Sequence, residues 1–302
     1  MYRTILVPLD GSPFSERALP MALSFARPLG SRLILTRAAA ATTFPGADAT
    51  DAQVEAVREA RDYLAGVVAS LSGEGVEVEI AVPYGDPAEQ ILMEIDLHRA
   101  DLVVMCTHGR AGLGRWIYGS VAEQVLHRSP VPVVLVHPTG ETEMLAPSPA
   151  LARTAFLVLL DGSPFAETVL PHAADLARAL DGTILLLRVV EPPLPTYAFA
   201  EASMTPPPVA TTYAEAESYV AGVAQRLTEP GLTVQTEVAE GWPADIIAQR
   251  SETLGHGMVV MATHGRSGVA RLLLGSVALQ VVRRSAVPVM LVRPSMPAAA
   301  AG

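Results

Sequence analysis

The residues of this chain that are best suited to chemistry lie in a glycine-containing segment that occurs twice, as CTHGRAGLGRWIYGS (106–120) and ATHGRSGVARLLLGS (262–276). In each copy, nine residues separate a glycine from a Gly-Ser pair. Glycine lets backbone N–H groups approach an anion closely, and a helix that begins at the Gly-Ser pair adds the positive end of its dipole. The alternative is a glycine-rich turn followed by an ordinary N-cap, which a single copy would favour. The repeated spacing favours a phosphate-binding loop. Its serine either donates a hydroxyl to the phosphate or caps the helix. The glycines and serines are Gly109, Gly119 and Ser120 in the first copy and Gly265, Gly275 and Ser276 in the second.

Charged and reactive side chains accompany these glycines. Arg110 and Arg266 directly follow the first glycine and can bind an anion through two parallel hydrogen bonds. His108 and His264 precede it. Because no metal ligand or acid–base partner lies near these histidines in sequence, we expect them to stabilise the turn or to face the anion. The one cysteine, Cys106, is a redox sensor if it is exposed and has a low pKa. A buried thiol is the favoured interpretation, since the second copy has alanine there.

A second repeated motif, Leu-Asp-Gly-Ser, follows the first apolar run of each copy and contains Asp10 and Asp161. An aspartate at the end of a strand can accept hydrogen bonds from the two hydroxyls of a ribose. It can also order the turn by accepting from backbone N–H groups. The motif alone favours the turn-ordering role, and the ribose role stays open.

Composition excludes several other kinds of site. All 21 basic residues are arginine, and the absence of lysine excludes a Walker A loop, a protein-kinase strand lysine and a Schiff-base enzyme. The net charge of −10 makes nucleic acid and anionic membrane surfaces unsuitable partners. One cysteine cannot form an internal disulfide, and no apolar run approaches the roughly 20 residues of a membrane span, so we expect a cytoplasmic protein. No nucleophile–base set, metal-ligand spacing or repeated carboxylate pair is visible, so we predict no catalytic or metal-binding residue.

The chain of 302 residues contains an internal repeat, which indicates two copies of one domain. Asp10 and Asp161 are 151 positions apart, whereas Gly109 and Gly265 are 156 apart. The second copy therefore gains five residues, in a proline-rich loop. We predict domains at 1–138 and 153–294, joined by a linker at 139–152 and followed by a flexible tail at 295–302.

Each copy alternates short apolar runs with segments of helical periodicity, which predicts five strands and four helices. Ser12-Pro13 and Asp86-Pro87 mark helix starts, because a capping residue there precedes a proline at the first helical position. Strands of this kind form a parallel sheet that is covered by helices on both faces. Ligands bind outside the carboxyl ends of such strands, where the strand order reverses, and both repeated motifs fall at strand carboxyl ends.

With these motifs, each copy resembles a universal stress protein domain, whose nucleotide-binding members carry G-x2-G-x9-G-[ST] together with the strand-one aspartate. The resemblance covers nearly the whole chain, twice. It implies two tandem, doubly wound, Rossmann-like α/β domains, each with a five-stranded parallel sheet of order 3-2-1-4-5. It also implies ATP or a related adenine nucleotide as the ligand, alone or with Mg²⁺.

The resemblance further implies a role for each matching position. The aspartate would hold the ribose, the residue after the second strand would meet adenine through its backbone, and the loop and helix start would cradle the phosphates. These positions are Asp10, Ala38, Gly109, Gly119, Ser120 and Val121 in the first copy and Asp161, Val189, Gly265, Gly275, Ser276 and Val277 in the second.

The sequence departs from the family pattern at the first motif glycine, which is Cys106 in the first copy and Ala262 in the second. Each residue adds a Cβ where the backbone approaches phosphate. Both are small, so binding survives if the local φ is negative. Pro8 stands beside the first aspartate and belongs to the candidate site, but it becomes Leu159 in the second copy, so we expect two unequal sites.

The favoured hypothesis is a stress-response protein that binds adenine nucleotide in each half and regulates unidentified protein partners. The alternatives are a nucleotide-independent interaction protein of the same fold and a weak metal-dependent ATPase. The resemblance implies pairing through the final strand, here VPVVLV and VPVMLV, and an unpaired apolar edge is a liability, so we expect these strands to pair between the halves. The chain is then an intrachain pseudo-two-fold dimer, and a further homodimer is left open.

Overall fold

The computed structural model describes residues 2–40, 49–107, 119–137, 154–192, 212–227, 231–254, 257–263 and 274–294. The first half contains β1 (Thr4–Pro8), α1 (Pro13–Glu16), α2 (Ala18–Leu29), β2 (Arg32–Thr36), α3 (Ala49–Ser70), β3 (Val78–Ala81), α4 (Pro87–His98), β4 (Leu102–Cys106), α5 (Ser120–Arg128) and β5 (Val133–Val136). The second half contains β6 (Ala155–Leu159), α6 (Pro164–Glu167), α7 (Leu170–Ala179), β7 (Thr183–Val190), α8 (Tyr213–Arg226), β8 (Thr233–Glu240), α9 (Pro243–Thr253), β9 (Met258–Ala262), α10 (Ser276–Arg284) and β10 (Val289–Val292).

The strands form one ten-stranded sheet of order β3-β2-β1-β4-β5-β10-β9-β6-β7-β8. Within each half the pairing is parallel and follows the predicted order 3-2-1-4-5. The halves meet at β5 and β10, which pair antiparallel with Met290 opposite Val134. The predicted pseudo-two-fold pairing through the final strands is therefore confirmed, and each apolar strand covers the other's edge.

Side chains from alternate strand positions divide the core into two apolar layers. Odd-numbered positions of β1 and β2, such as Val7 and Leu35, pack with α2 and α3. Even-numbered positions, such as Leu6 and Ile34, pack with α4 and α5. The central strands are consequently buried on both faces, which explains their continuous apolar sequences.

Helix starts follow the predicted capping signals. The hydroxyl oxygens of Ser12 and Ser163 accept from the backbone N–H of the third residue after them, and the Asp86 carboxylate accepts from two N–H groups of α4. The first predicted helix of each half is divided, because the N–H that would bond the Glu16 or Glu167 carbonyl belongs to a proline, Pro20 or Pro171.

The predicted linker at 139–152 and tail at 295–302 lie outside the described residues. The domain boundaries therefore stay predictions. Among the helices that the structure describes, none combines the length and the apolar character needed to cross a membrane.

Candidate functional site

The two aspartate loops have the same geometry in both halves. Asp10 Oδ1 accepts from the N–H and the hydroxyl of Ser12, at 2.8 and 2.6 Å, and Asp161 accepts in the same way from Ser163, at 2.9 and 2.6 Å. The glycine between them has a φ of 83° or 84°, in the left-handed region that favours glycine. The turn-ordering role is thus realised twice, and the ribose role stays a prediction.

The aspartate loop of the first half lies beside the end of β4. β1 pairs in parallel with both β2 and β4, so the strand order reverses at this place. The charge of Asp10 acts on the Cys106 thiol at the last position of β4. The loop and the end of β4 therefore share the carboxyl edge of the sheet, where the fold places a ligand crevice.

The helices after β4 and β9 begin as the Gly-Ser pairs predict, but with a different capping residue. Gly119 and Gly275 are the N-caps, and their own N–H groups donate to the carbonyls of Thr107 and Thr263 at 2.9 Å. Ser120 and Ser276 stand at the first helical position and are exposed. The N-cap alternative for these serines is therefore wrong. Within the described residues, no side chain caps the first-turn N–H groups of either helix.

Cys106 and Ala262 end their strands with ordinary backbone geometry. Neither belongs to the described non-glycine residues with positive φ, so the condition under which their Cβ atoms are tolerated is met. The Cys106 thiol is buried at the end of β4. Burial raises its pKa to about 12, which supports the buried-thiol interpretation and not the redox sensor.

The other predicted positions surround this edge. Pro8 is buried at the end of β1, Ala38 follows β2, and Val189 lies near the end of β7. Val121 and Val277 are partly buried and pack against the apolar layer that contains α5 and α10. Six predicted site residues lie outside the described residues: His108, Gly109, Arg110, His264, Gly265 and Arg266.

Comparison with known proteins decides the family. A family model described as "Universal stress protein family" matches residues 1–137 and again 153–293. The chain belongs to the universal stress protein family. A universal stress protein of Mycolicibacterium smegmatis is 30% identical over 252 residues, which cover 81% of this chain and 79% of that protein.

Two further relatives define the range of similarity. Universal stress protein Rv2005c of Mycobacterium tuberculosis is 30% identical over 203 residues, covering 66% of this chain and 63% of that protein. The crystal structure of a universal stress protein from Archaeoglobus fulgidus covers 96% of each chain with a TM-score of 0.68. Its sequence identity is 24%, so this likeness supports the tandem fold alone.

In this universal stress protein, a cluster of ionisable residues that sequence reasoning missed lies near the aspartate loop of each half. In the first half, the Arg37 guanidinium lies 5.0 Å from the ring centre of Tyr63, whose hydroxyl donates to Glu16 at 2.8 Å. The second half repeats both contacts at 5.1 and 2.9 Å, with Arg188, Tyr219 and Glu167. The three residue types recur at the offsets of 151, 151 and 156 that define the internal repeat, and this recurrence is the signal that could have revealed them.

In the second half, the cluster is in direct contact with the aspartate loop. A Cβ added to Gly162 would overlap the Arg188 Nη1 atom and lie 3.1 Å from Cζ, so this guanidinium lies directly against the loop of Asp161. Burial is the largest of the effects that raise the pKa of Tyr63 and Tyr219, so both stay neutral and donate to their glutamates. The cluster joins the strand-one loop, the second strand and the following helix into one unit.

The two halves of this universal stress protein differ around the same frame. Arg188 is buried, with 4% of its surface exposed, whereas Arg37 is half-buried. Near the end of β4, the first half has the cation Arg17, and the second has Thr168 at the matching position. The second half adds a hydrogen-bonded ion pair from Arg226 to its cluster glutamate at 2.6 Å. That the two sites are unequal stays a prediction.

The described residues were also compared with the requirements of a metal site. No group of three or more histidine, cysteine, aspartate or glutamate side chains among them is arranged to hold a metal ion.

Proposed function

We propose that the chain is a cytoplasmic regulatory module that binds ATP or a related adenine nucleotide in each half and changes its surface for protein partners with occupancy. The observation that carries the proposal is the glycine-initiated helix start beside the end of β4 and, again, of β9. In both halves the helix has a glycine N-cap, an exposed serine at its first position and no described side chain on its first-turn N–H groups.

This geometry suits a phosphate chain. Backbone N–H groups and the positive end of the helix dipole attract an anion, and the hydroxyls of Ser120 and Ser276 can donate to it. In the first half, the aspartate loop lies beside the same strand end, at the carboxyl edge of the sheet where folds of this class bind nucleotides. Ala38 follows β2 and Val189 lies near the end of β7, the strands next to β1 and β6, so their backbone groups could meet the base.

Half-specific variants test the proposal. Gly119→Glu and Gly275→Glu place a carboxylate at the helix start, where it repels phosphate and fills the space beside Thr107 or Thr263. We expect each variant to bind one ATP fewer than the unaltered chain, measured by calorimetric titration at millimolar ATP with Mg²⁺. Gly66→Glu is the matched control, because Gly66 is exposed on α3 and an added Cβ meets nothing within 4 Å.

The titration separates the hypotheses. Binding that is lost in one half in each variant, and kept in the control, supports the proposal. Unchanged binding in both variants would show that the helix starts do not hold phosphate. Breakdown of bound ATP over hours at 37 °C would favour the weak ATPase instead.

A further inference from the structure

His127, in the last turn of α5, makes two hydrogen bonds to the opposite half. Its ring Nε2 accepts from the backbone N–H of Leu274 at 3.2 Å, and its carbonyl accepts from Arg293 Nη1 at 2.9 Å. Leu274 directly precedes Gly275, the N-cap of α10. A residue of the first half therefore contacts the helix start that forms the second half's proposed phosphate site.

The contact has a defined chemistry. A backbone N–H can donate to Nε2 only when that nitrogen carries no proton, so the imidazole is neutral with its hydrogen on Nδ1. The next N–H along the chain, that of Gly275, donates to the carbonyl of Thr263 at 2.9 Å. Two consecutive amides are thus held by different halves. The amide of Leu274 is held by His127 of the first half, and the amide of Gly275 is held by Thr263, which follows β9 in the second half.

The residues at the symmetry-related positions are different. The position that matches His127 is Arg283, and the position that matches Leu274 is Tyr118, each 156 residues away. A guanidinium carries donors and no acceptor, so Arg283 cannot accept an N–H in the way that the imidazole does. Tyr118 itself lies outside the described residues. At this pair of positions, therefore, an imidazole is available to accept the amide only in the first half.

We infer that His127 of the first half is a positioning residue for the nucleotide site of the second half. By holding the amide before Gly275, it fixes the direction of the first-turn N–H groups of α10. The inference rests on the proposed function, because the site it positions is the proposed phosphate site. The inference adds that a residue of the first half completes the second half's site. For the first half's site, the matching position holds Arg283 and not an imidazole.

Peptide-level hydrogen exchange of the full chain, followed during an ATP titration, reads each half separately. His127→Phe keeps a ring and removes the acceptor. We expect about fivefold weaker protection by ATP in the second half, which is the ~1 kcal/mol of one net hydrogen bond, and no change in the first half. His127→Gln restores a side-chain acceptor and should return the second-half affinity to within about twofold of the unaltered chain, as expected for a neutral acceptor. Arg283→Leu, at the matching position, should leave the second half unchanged.

Three results would overturn the inference: equal affinity in His127→Phe and the unaltered chain, equal weakening in both halves, or a glutamine variant as weak as the phenylalanine variant. Should His127→Phe fail to fold, His127→Leu takes its place. If the unaltered chain gains no protection from ATP, the proposed function fails by itself. The same data without ATP then decide the contact: amides from Leu274 to Val277 should exchange faster in His127→Phe and not in His127→Gln, and equal rates would refute it.

Discussion

Replacing Gly162 with alanine tests how the arginine cluster supports the second aspartate loop. Two separate features of the structure oppose the added methyl group. Gly162 has a φ of 84°, and its ideal Cβ would overlap the end of the Arg188 side chain. That side chain is buried and stacked on Tyr219, so it cannot swing into solvent to make room.

The two features have different costs. The left-handed backbone costs alanine about 1–2 kcal/mol, and forcing a methyl group into a packed site costs a further ~1–3 kcal/mol. We therefore expect Gly162→Ala to lower the free energy of unfolding by about 3 kcal/mol. Gly30→Ala is the matched control, because Gly30 has a φ of 64° and open space around its Cβ position. It should lose about 1 kcal/mol, from the backbone alone.

Urea unfolding of the four chains of a double-mutant cycle provides the measurement. In an Arg188→Met background the overlap is relieved, and Gly162→Ala should then cost no more than Gly30→Ala. The loop variant should also bind ATP more weakly in the second half, since Asp161 precedes the strained residue. Equal losses for Gly162→Ala and Gly30→Ala in the unaltered background would refute the contact between guanidinium and loop.

Three further predictions concern groups outside the helix starts. Because burial raises the pKa of Cys106 to about 12, the folded chain should resist thiol reagents at pH 8 and react fully in urea; rapid reaction when folded would contradict its burial. Burial lowers the pKa of His172 on α7, whose Nδ1 lies 2.7 Å from the hydroxyl of Tyr2 in the first half. Because the unfolded chain then binds the proton more readily than the folded chain, the stabilisation from neutral His172 should be present above pH 6.5 and be lost as the pH falls below it. His172→Met should flatten the pH dependence of urea stability in this range. Tyr63→Phe removes the bond to Glu16 and should cost about 1 kcal/mol in urea unfolding, whereas Tyr84→Phe, at an exposed position, should cost almost nothing.

Local signals in the sequence predicted much of this fold because their physics is local. A serine or aspartate before a proline can cap a helix with its own side chain, and Ser12 and Asp86 do so. The strand order followed from the resemblance to universal stress protein domains and not from local signals. For the pairing of β5 with β10, the unpaired apolar edge of the final strands added a physical reason. The carboxyl-edge position of both motifs followed from the alternation of strands and helices.

The rest of the site depends on contacts between distant residues. Glu16, Arg37 and Tyr63 lie on three different elements, and each residue type is common on a protein surface, so only the fold reveals that they meet. The predicted capping role of Ser120 was wrong. The N-cap lies one residue earlier, at Gly119, where the backbone is extended, and Ser120 is already helical.

His127 escaped the sequence for a different reason. Repetition was the main guide to function, and this residue is a histidine in one copy and an arginine in the other. Comparing the copies highlights what both sites share, and it conceals a residue that serves one site from the opposite half. Differences between the copies therefore need the structure for their interpretation.

The central claim is that each half holds one adenine nucleotide, and native mass spectrometry of the unaltered chain with graded ATP and Mg²⁺ tests it most directly. We predict mass increments of one and then two ATP per chain, appearing at different ATP concentrations because the two sites are unequal. A spectrum that shows the unliganded mass alone at millimolar ATP would contradict the account and would favour a nucleotide-independent interaction protein.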